Sequence, residues 1–137
     1  MIGAAVWAAA NPTIMQKWGM NVRIWVVDDE SGILQVIEAV LAGAGHVVHT
    51  FGSVAHLDQV ISAAQTTPPD LVLMDAMVSG ENGLVVAEKL QNFWGPGVRL
   101  VMMSGDSEMA KNVPETMGWL RKPFHLDELM RLVASPA

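Results

Sequence analysis

The sequence predicts an α/β fold, a doubly wound parallel sheet with helices on both faces. Three observations lead there. Between Asn21 and Ser135, short apolar runs alternate five times with stretches of helical hydrophobic spacing. Most of these runs lack the every-other-residue polarity of a one-sided sheet, so both of their faces must be covered. The connections between runs are long enough for the crossovers that parallel pairing requires.

Each element has its own signal. Val22-Arg23-Ile24-Trp25-Val26-Val27 reads as a buried strand that stops abruptly at Asp28-Asp29-Glu30. Ile33, Val36, Ile37, Val40 and Leu41 recur at helical spacing, and Gly43 and Gly45 end that helix. His46 to Phe51 is the second strand. Ser53 is an N-cap for a helix with Val54, Leu57 and Ile61 on one face. Thr66 to Pro69 is a turn cluster, and Leu71-Val72-Leu73-Met74 is a third strand ending in Asp75. A loop from Ala76 to Glu81 leads to Asn82, the cap of a helix that turns Val86, Leu90 and Phe93 inward until Gly95-Pro96-Gly97. Val98 to Met103 is the fourth strand, ending in Ser104. A short helix starts at Asp106 or Ser107 and must be over by Pro114. Thr116 to Arg121 is a weaker fifth strand running into Lys122-Pro123. The last helix carries Leu126, Leu129, Met130 and Val133 at i, i+3, i+4 and i+7.

Composition narrows the function classes. The 137 residues suit one domain, and 51% are apolar, enough for a sizeable core. The net charge of −6 argues against a nucleic-acid module, which needs a basic face. With no cysteine, disulfides, thiolate metal sites and cysteine nucleophiles are excluded, which suits a cytoplasmic protein. No apolar run approaches the roughly 20 residues of a membrane span. Residues 1–20 read as a separate extension, poorly ordered or translated from an upstream start, with no basic n-region of a signal peptide before Lys17. The competing reading is a short docking helix anchored by Trp7 and Trp18. The four histidines, His46, His49, His56 and His125, lack metal-ligand pairing and read as structural or solvated.

The polar residues collect at strand ends. In open α/β sheets, ligands bind beyond the carboxyl ends of the strands where strand order reverses. With order 2-1-3-4-5, strands one and three are neighbours, and Asp28, Asp29 and Asp75 converge. Crowded carboxylates raise one another's pKa, and a hard cation such as Mg2+ relieves that. Ser104 and Lys122 at the ends of strands four and five complete a phosphate-sized nest. Such a site lets Asp75 act as a nucleophile and become an acyl phosphate. Singly, each residue is better explained as a cap or solvated turn. Their joint placement at four strand ends is not.

These residues resemble a known family. From about Asn21 to Ser135 the chain is similar to the receiver domain of bacterial two-component response regulators, in the style of chemotaxis regulators. The resemblance rests on Val26-Val27-Asp28-Asp29-Glu30, Leu71-Val72-Leu73-Met74-Asp75, Gly83, Met103-Ser104-Gly105 and Leu120-Arg121-Lys122-Pro123-Phe124. It implies a flavodoxin-like receiver over residues 21–135, switched by phosphorylation, whose only catalysis is its own phosphorylation and autodephosphorylation. It implies Asp75 as phosphoacceptor and Asp29 as a direct magnesium ligand. Asp28 would act mainly through metal-bound water, and Met77 would offer a backbone carbonyl to the metal. Ser104 would bind a phosphoryl oxygen, Lys122 would pair with Asp75 or its phosphate, and Trp119 matches the aromatic switch position. Implied partners are a histidine kinase or histidine phosphotransfer protein, a downstream protein target and, as one option, a second copy in a homodimer. Neither direct nucleic-acid contact nor a membrane is implied.

Three departures from the family stand out. Ser79 occupies a position that usually carries Pro, which should make the loop after Asp75 more mobile without removing a ligand. Trp119 replaces the usual Tyr or Phe, so a larger ring must swing. Ser104 and Lys122 lie close in sequence, which shortens the fourth helix by about one turn. Only Ala134 to Ala137 follow the last helix, so the expectation is a stand-alone receiver or part of a larger protein such as a hybrid kinase. Two other readings compete. A haloacid-type phosphatase would need an acid at Met77. A degenerate receiver binding its partner without phosphorylation would normally lack one of the acidic residues or the Lys.

Overall fold

The structure is a computed structural model that describes residues 22–63 and 67–134. The extension, with Trp7 and Trp18, lies outside the described residues. Five parallel strands form one sheet: β1 (Arg23–Val27), β2 (Val47–Phe51), β3 (Leu71–Asp75), β4 (Arg99–Ser104) and β5 (Gly118–Arg121), in the order β2-β1-β3-β4-β5. The helices are α1 (Ser31–Gly43), α2 (Val54–Ile61), α3 (Gly83–Trp94), α4 (Ser107–Ala110) and α5 (Leu126–Ala134). The predicted fold class and strand order are both borne out. Among the described residues, no helix is long and apolar enough to cross a membrane.

The period-two alternation of each strand divides the core into two layers. Ile24, Val26, Leu71, Leu73, Val101, Met103 and Leu120 face Ile37 and Leu41 of α1 and Leu129 and Val133 of α5. Trp25, Val27, Val72, Met74, Leu100 and Met102 face Leu57 of α2 and Ala87 and Leu90 of α3. All five residues of β3 are buried, as a central parallel strand requires, whereas edge strand β2 exposes alternate residues.

The caps follow the sequence. The Ser53 side chain accepts from His56 N–H at 3.1 Å, Asn82 Oδ1 from Leu84 N–H at 2.9 Å, and Asp106 Oδ1 from Glu108 N–H at 2.9 Å. His46 is buried and structural: its Nδ1 accepts from Val22 N–H at 3.2 Å, and burial lowers its pKa.

Two inward faces differ from expectation. Phe93 is 60% exposed, because α3 packs along Gly83, Ala87, Leu90 and Trp94. The two small residues let the helix sit close to the sheet. This rotates the stripe so that Trp94, not Phe93, reaches Trp25, edge-on with ring centroids 5.3 Å apart. Val36 on α1 is likewise exposed, since Ile37 and Leu41 already fill the contact with the sheet.

Helix α4 is a single turn, as its sequence spacing requires. The chain then turns through Pro114, whose carbonyl accepts from Met117 N–H at 2.9 Å. Strand β5 begins at Gly118, later than Thr116. At Gly118 a Cβ would lie 3.0 Å from Val101 Cγ2, so any side chain there would press on Val101 of β4.

Candidate functional site

The sheet order places the ends of β1 and β3 side by side, with Val27 opposite Met74. Asp28 follows β1 directly and is fully buried. Its N–H donates to the Phe51 carbonyl at 3.1 Å, continuing the ladder to β2. Its Oδ1 accepts from Glu30 N–H at 2.9 Å and its Oδ2 from Lys122 Nζ at 2.6 Å. Asp75 ends β3, buried, with Oδ2 3.4 Å from the same ammonium. The exposed Asp29 completes the group: one carboxylate oxygen from each of Asp28, Asp29 and Asp75 lies within 4.8 Å of the others.

Electrostatics follow from this crowding. Burial, and next the charge of Asp28, raise the Asp75 pKa; the charge and hydrogen bond of Lys122 and the Met77 amide oppose them and are outweighed. For Lys122, burial acts to lower the pKa. The hydrogen bond and charge of Asp28, with the charge of Asp75, overcome it and hold the ammonium above its usual value. Lys122 is therefore the fixed counter-ion of two buried carboxylates.

Ser104 ends β4, buried, with its Oγ accepting from Asp106 N–H at 3.0 Å. Its carbonyl accepts from Lys122 N–H at 3.0 Å, which carries the chain from β5 past the site. The backbone is tight there: a Cβ on Gly105 would lie 3.2 Å from the Lys122 carbonyl oxygen. Trp119 on β5 is half-buried and opposite Met102. Strand alternation puts Trp119 and Ser104 on the same sheet face as diagonal neighbours.

The segment after Asp75 is a small hairpin. Met77 pairs with Asn82 and Val78 with Glu81, around Ser79 and Gly80 at φ +49° and +82°. Two central residues with positive φ are the requirement of a type I′ turn. The sequence predicts a loop here, more mobile for carrying Ser79 in place of Pro. Here Ser79 is tied down instead, its N–H donating to Asp29 Oδ2 at 2.8 Å. The Ser79-Gly80 dipeptide was the available signal. Glu30 was also missed as part of the site; its Oε1 lies 4.0 Å from Lys122 Nζ. At the base of the hairpin, Gly83 N–H donates to the Ala76 carbonyl at 2.8 Å, and a Cβ on Gly83 would overlap the Asp75 carbonyl oxygen.

Fold and site together define a doubly wound α/β domain with a carboxylate cluster, an ammonium and a hydroxyl at the carboxyl ends of its central strands. Residues 24–134 match the family model of the response regulator receiver domain, and the chain belongs to that family. It is 33% identical over 114 residues to the DNA-binding transcriptional regulator NtrC of Escherichia coli K12, covering 80% of this chain and 24% of that protein. It is 31% identical over 121 residues to the DNA-binding response regulator MtrA of Mycolicibacterium paratuberculosis, covering 83% of this chain and 50% of that protein. The chain thus spans about a quarter to a half of these relatives. Among solved structures, the BeF3-activated receiver domain of nitrogen regulatory protein C superposes with a TM-score of 0.68 at 30% identity, covering 83% of this chain and 92% of that one. A CheY-like receiver domain protein from Methanospirillum hungatei shares the fold, with a TM-score of 0.70 at 21% identity over 82% of this chain and 90% of that one. Receiver domains serve two-component signalling as phosphoacceptors rather than as conventional enzymes.

Proposed function

We propose that the chain is a phosphorylation-switched receiver in which Asp75 takes a phosphoryl group from a phosphohistidine. The donor is a partner histidine kinase or histidine phosphotransfer protein. The observation that carries this reading is the gathering of carboxylate oxygens from Asp28, Asp29 and Asp75 within 4.8 Å of one another, with the Lys122 ammonium on Asp28 and Asp75. An Asp75 carboxylate oxygen attacks phosphorus, and the bond from phosphorus to the imidazole nitrogen breaks as the new P–O bond forms. The electron pair leaves with the imidazole. Hydrolysis of the acyl phosphate by water restores Asp75.

The donor set fits Mg2+, since three hard carboxylate oxygens converge with no soft ligand among them. Bound there, Mg2+ supplies charge neutralisation for the phosphoryl oxygens. Asp29 has an oxygen to spare for direct coordination, and the Met77 carbonyl is the proposed backbone ligand. Both oxygens of Asp28 already accept hydrogen bonds, which supports a role through metal-bound water. Lys122 balances the charge of Asp28 and Asp75 and then of the phosphate. Ser104 keeps its own proton to donate to a phosphoryl oxygen, because Asp106 N–H is donated to it.

The output follows from the shared face of Ser104 and Trp119. A phosphoryl group adds about −1.5 to −2 charge and strong acceptor oxygens. Ser104 moves toward it, and the Trp119 ring turns inward behind it. The surface of α4 and β5 thereby changes toward a downstream protein target or a second copy. The proposed setting is the cytoplasm, without direct nucleic-acid contact, and the proposed autonomous unit is residues 21–135.

The test is incubation with acetyl phosphate and Mg2+, followed by mass spectrometry. One phosphoryl group on Asp75 is expected, with Asp75→Asn folded but unmodified. Equal modification of Asp75→Asn would overturn the assignment. A wild-type chain that stays unmodified yet binds its partner would instead mark a phosphorylation-independent binding module.

A further inference from the structure

Asp29 differs from its two companions in the cluster. Asp28 and Asp75 are buried and share Lys122, whereas Asp29 is exposed on the chain just past β1. An exposed carboxylate ordinarily samples several rotamers. Its oxygen nonetheless lies within 4.8 Å of the other two. The contacts that hold it there come from Ser79, whose N–H donates to Asp29 Oδ2 at 2.8 Å with its Oγ at 3.5 Å.

We propose that Ser79 is the positioning residue of the cation site: its amide, presented at the hairpin tip, holds the Asp29 carboxylate in place to meet a divalent cation together with Asp28 and Asp75. This rests on the function proposed above. The amide sits at the tip of a tight turn in which Ser79 and Gly80 both adopt positive φ. The bond to a carboxylate is charge-assisted and offsets the cost of the left-handed conformation for a residue with a Cβ. It uses one lone pair of Oδ2 and leaves the other carboxylate oxygen for a cation, so latch and metal coexist. The hairpin springs directly from Asp75, so the contact also ties the end of β1 to the segment leaving β3. Proline at position 79 would lack the N–H, and its ring would fix φ near −65°, far from the +49° observed here.

The experiment is Mg2+ titration by calorimetry on the full chain and on Ser79→Gly, Ser79→Ala and Ser79→Pro, each also melted in EDTA. Immobilising one flexible side chain is worth about a 2- to 10-fold change in affinity. Ser79→Pro is therefore expected to bind Mg2+ about 2- to 10-fold more weakly. Ser79→Gly and Ser79→Ala keep the amide and are expected to stay within about twofold of wild type. The glycine variant is also expected to melt no lower than wild type, because it relieves the left-handed Ser. Wild-type affinity in a folded Ser79→Pro overturns the latch. Amide hydrogen exchange gives a measurement that does not need the proline variant to fold. The Ser79 N–H is expected to be protected in metal-free wild type and to lose protection in Asp29→Ala. An unprotected Ser79 amide in wild type overturns the proposal equally. A wild-type chain that binds no Mg2+ at all overturns the functional reading itself, and the proposal with it.

Discussion

Replacing Gly83 by alanine adds one methyl group at the first residue of α3, and the structure gives it nowhere to go. The new Cβ would overlap the Asp75 carbonyl oxygen, 2.9 Å from its carbon and 3.2 Å from the Ala76 carbonyl carbon. These are backbone atoms at the end of the central strand and cannot rotate aside. Overpacking that side chains can absorb costs about 1–3 kcal/mol. Here the helix must back away, which also stretches the bond from Gly83 N–H to the Ala76 carbonyl, another ~1 kcal/mol. A loss of about 3–4 kcal/mol lowers the melting temperature by roughly 10–20 °C in a domain of this size. The same substitution at Gly32, inside α1 with nothing within 4 Å, should be neutral or stabilise by up to about 1 kcal/mol. At Gly80, where space is open but φ is +82°, it should cost ~1 kcal/mol. Thermal and urea melts of the three variants in EDTA decide the matter. Gly83→Ala melting within about 3 °C of wild type would refute the packing argument, a shift of ~1 kcal/mol at most. Acetyl phosphate labelling should fall in Gly83→Ala as well, because the displaced backbone belongs to Asp75.

Three further predictions address charge and signal. Asp75 has a raised pKa, so its proton is held more tightly in the folded chain than in the unfolded one; ionised Asp75 costs stability above that raised pKa, and the cost disappears as pH falls through it toward the ordinary 3.8. Asp75→Asn should therefore melt higher than wild type at pH 7 in EDTA and lose that advantage in acid; a lower melting temperature at pH 7 would contradict it. Lys122→Met leaves the buried Asp28 without its 2.6 Å partner and should cost about 3 kcal/mol. Its wild-type contribution is complete below the ordinary lysine pKa of 10.5 and fades as pH rises through the raised value, so the gap between the two proteins should narrow in strong alkali. Beryllofluoride with Mg2+ should change tryptophan fluorescence in wild type and change it less in Trp119→Phe; equal changes would place the signal on the other four tryptophans and remove Trp119 from the switch.

Much of the fold was legible because its strands are short, apolar and ended by polar residues. Val22 to Val27 and Leu71 to Met74 stop at aspartates, and those stops set both the strand boundaries and the composition of the site. Where the sequence misled, residue size was the reason. Val86, Leu90 and Phe93 are the bulky apolar positions of α3, and hydrophobicity alone turns them inward. Helix and sheet instead approach through Gly83 and Ala87, where the lack of side-chain bulk is what allows contact. A hydrophobic-spacing argument gives little weight to a glycine, so it found Val86 and Leu90 but took Phe93 in place of Trp94 and passed over Gly83 and Ala87.

The site separates along the same physical line. Asp28 and Asp75 extend two adjacent sheet strands, so alternation and strand order were enough to bring them together. Asp29 and Lys122 reach the cluster from connecting segments, and what fixes them is contact over a long sequence separation: Ser79 with Asp29, Asp28 with Lys122. Strand ends and strand order locate all four residues, but the side-chain contacts that hold Asp29 and Lys122 in place are not written in the backbone pattern. The two late arrivals also divide the electrostatic task. Lys122 neutralises the buried carboxylates of Asp28 and Asp75, whereas Asp29 faces solvent, held by the Ser79 amide and open to a cation. Mutations on strand ends should therefore alter whether Asp75 can react, and mutations in the hairpin should alter how readily the cation site assembles around it.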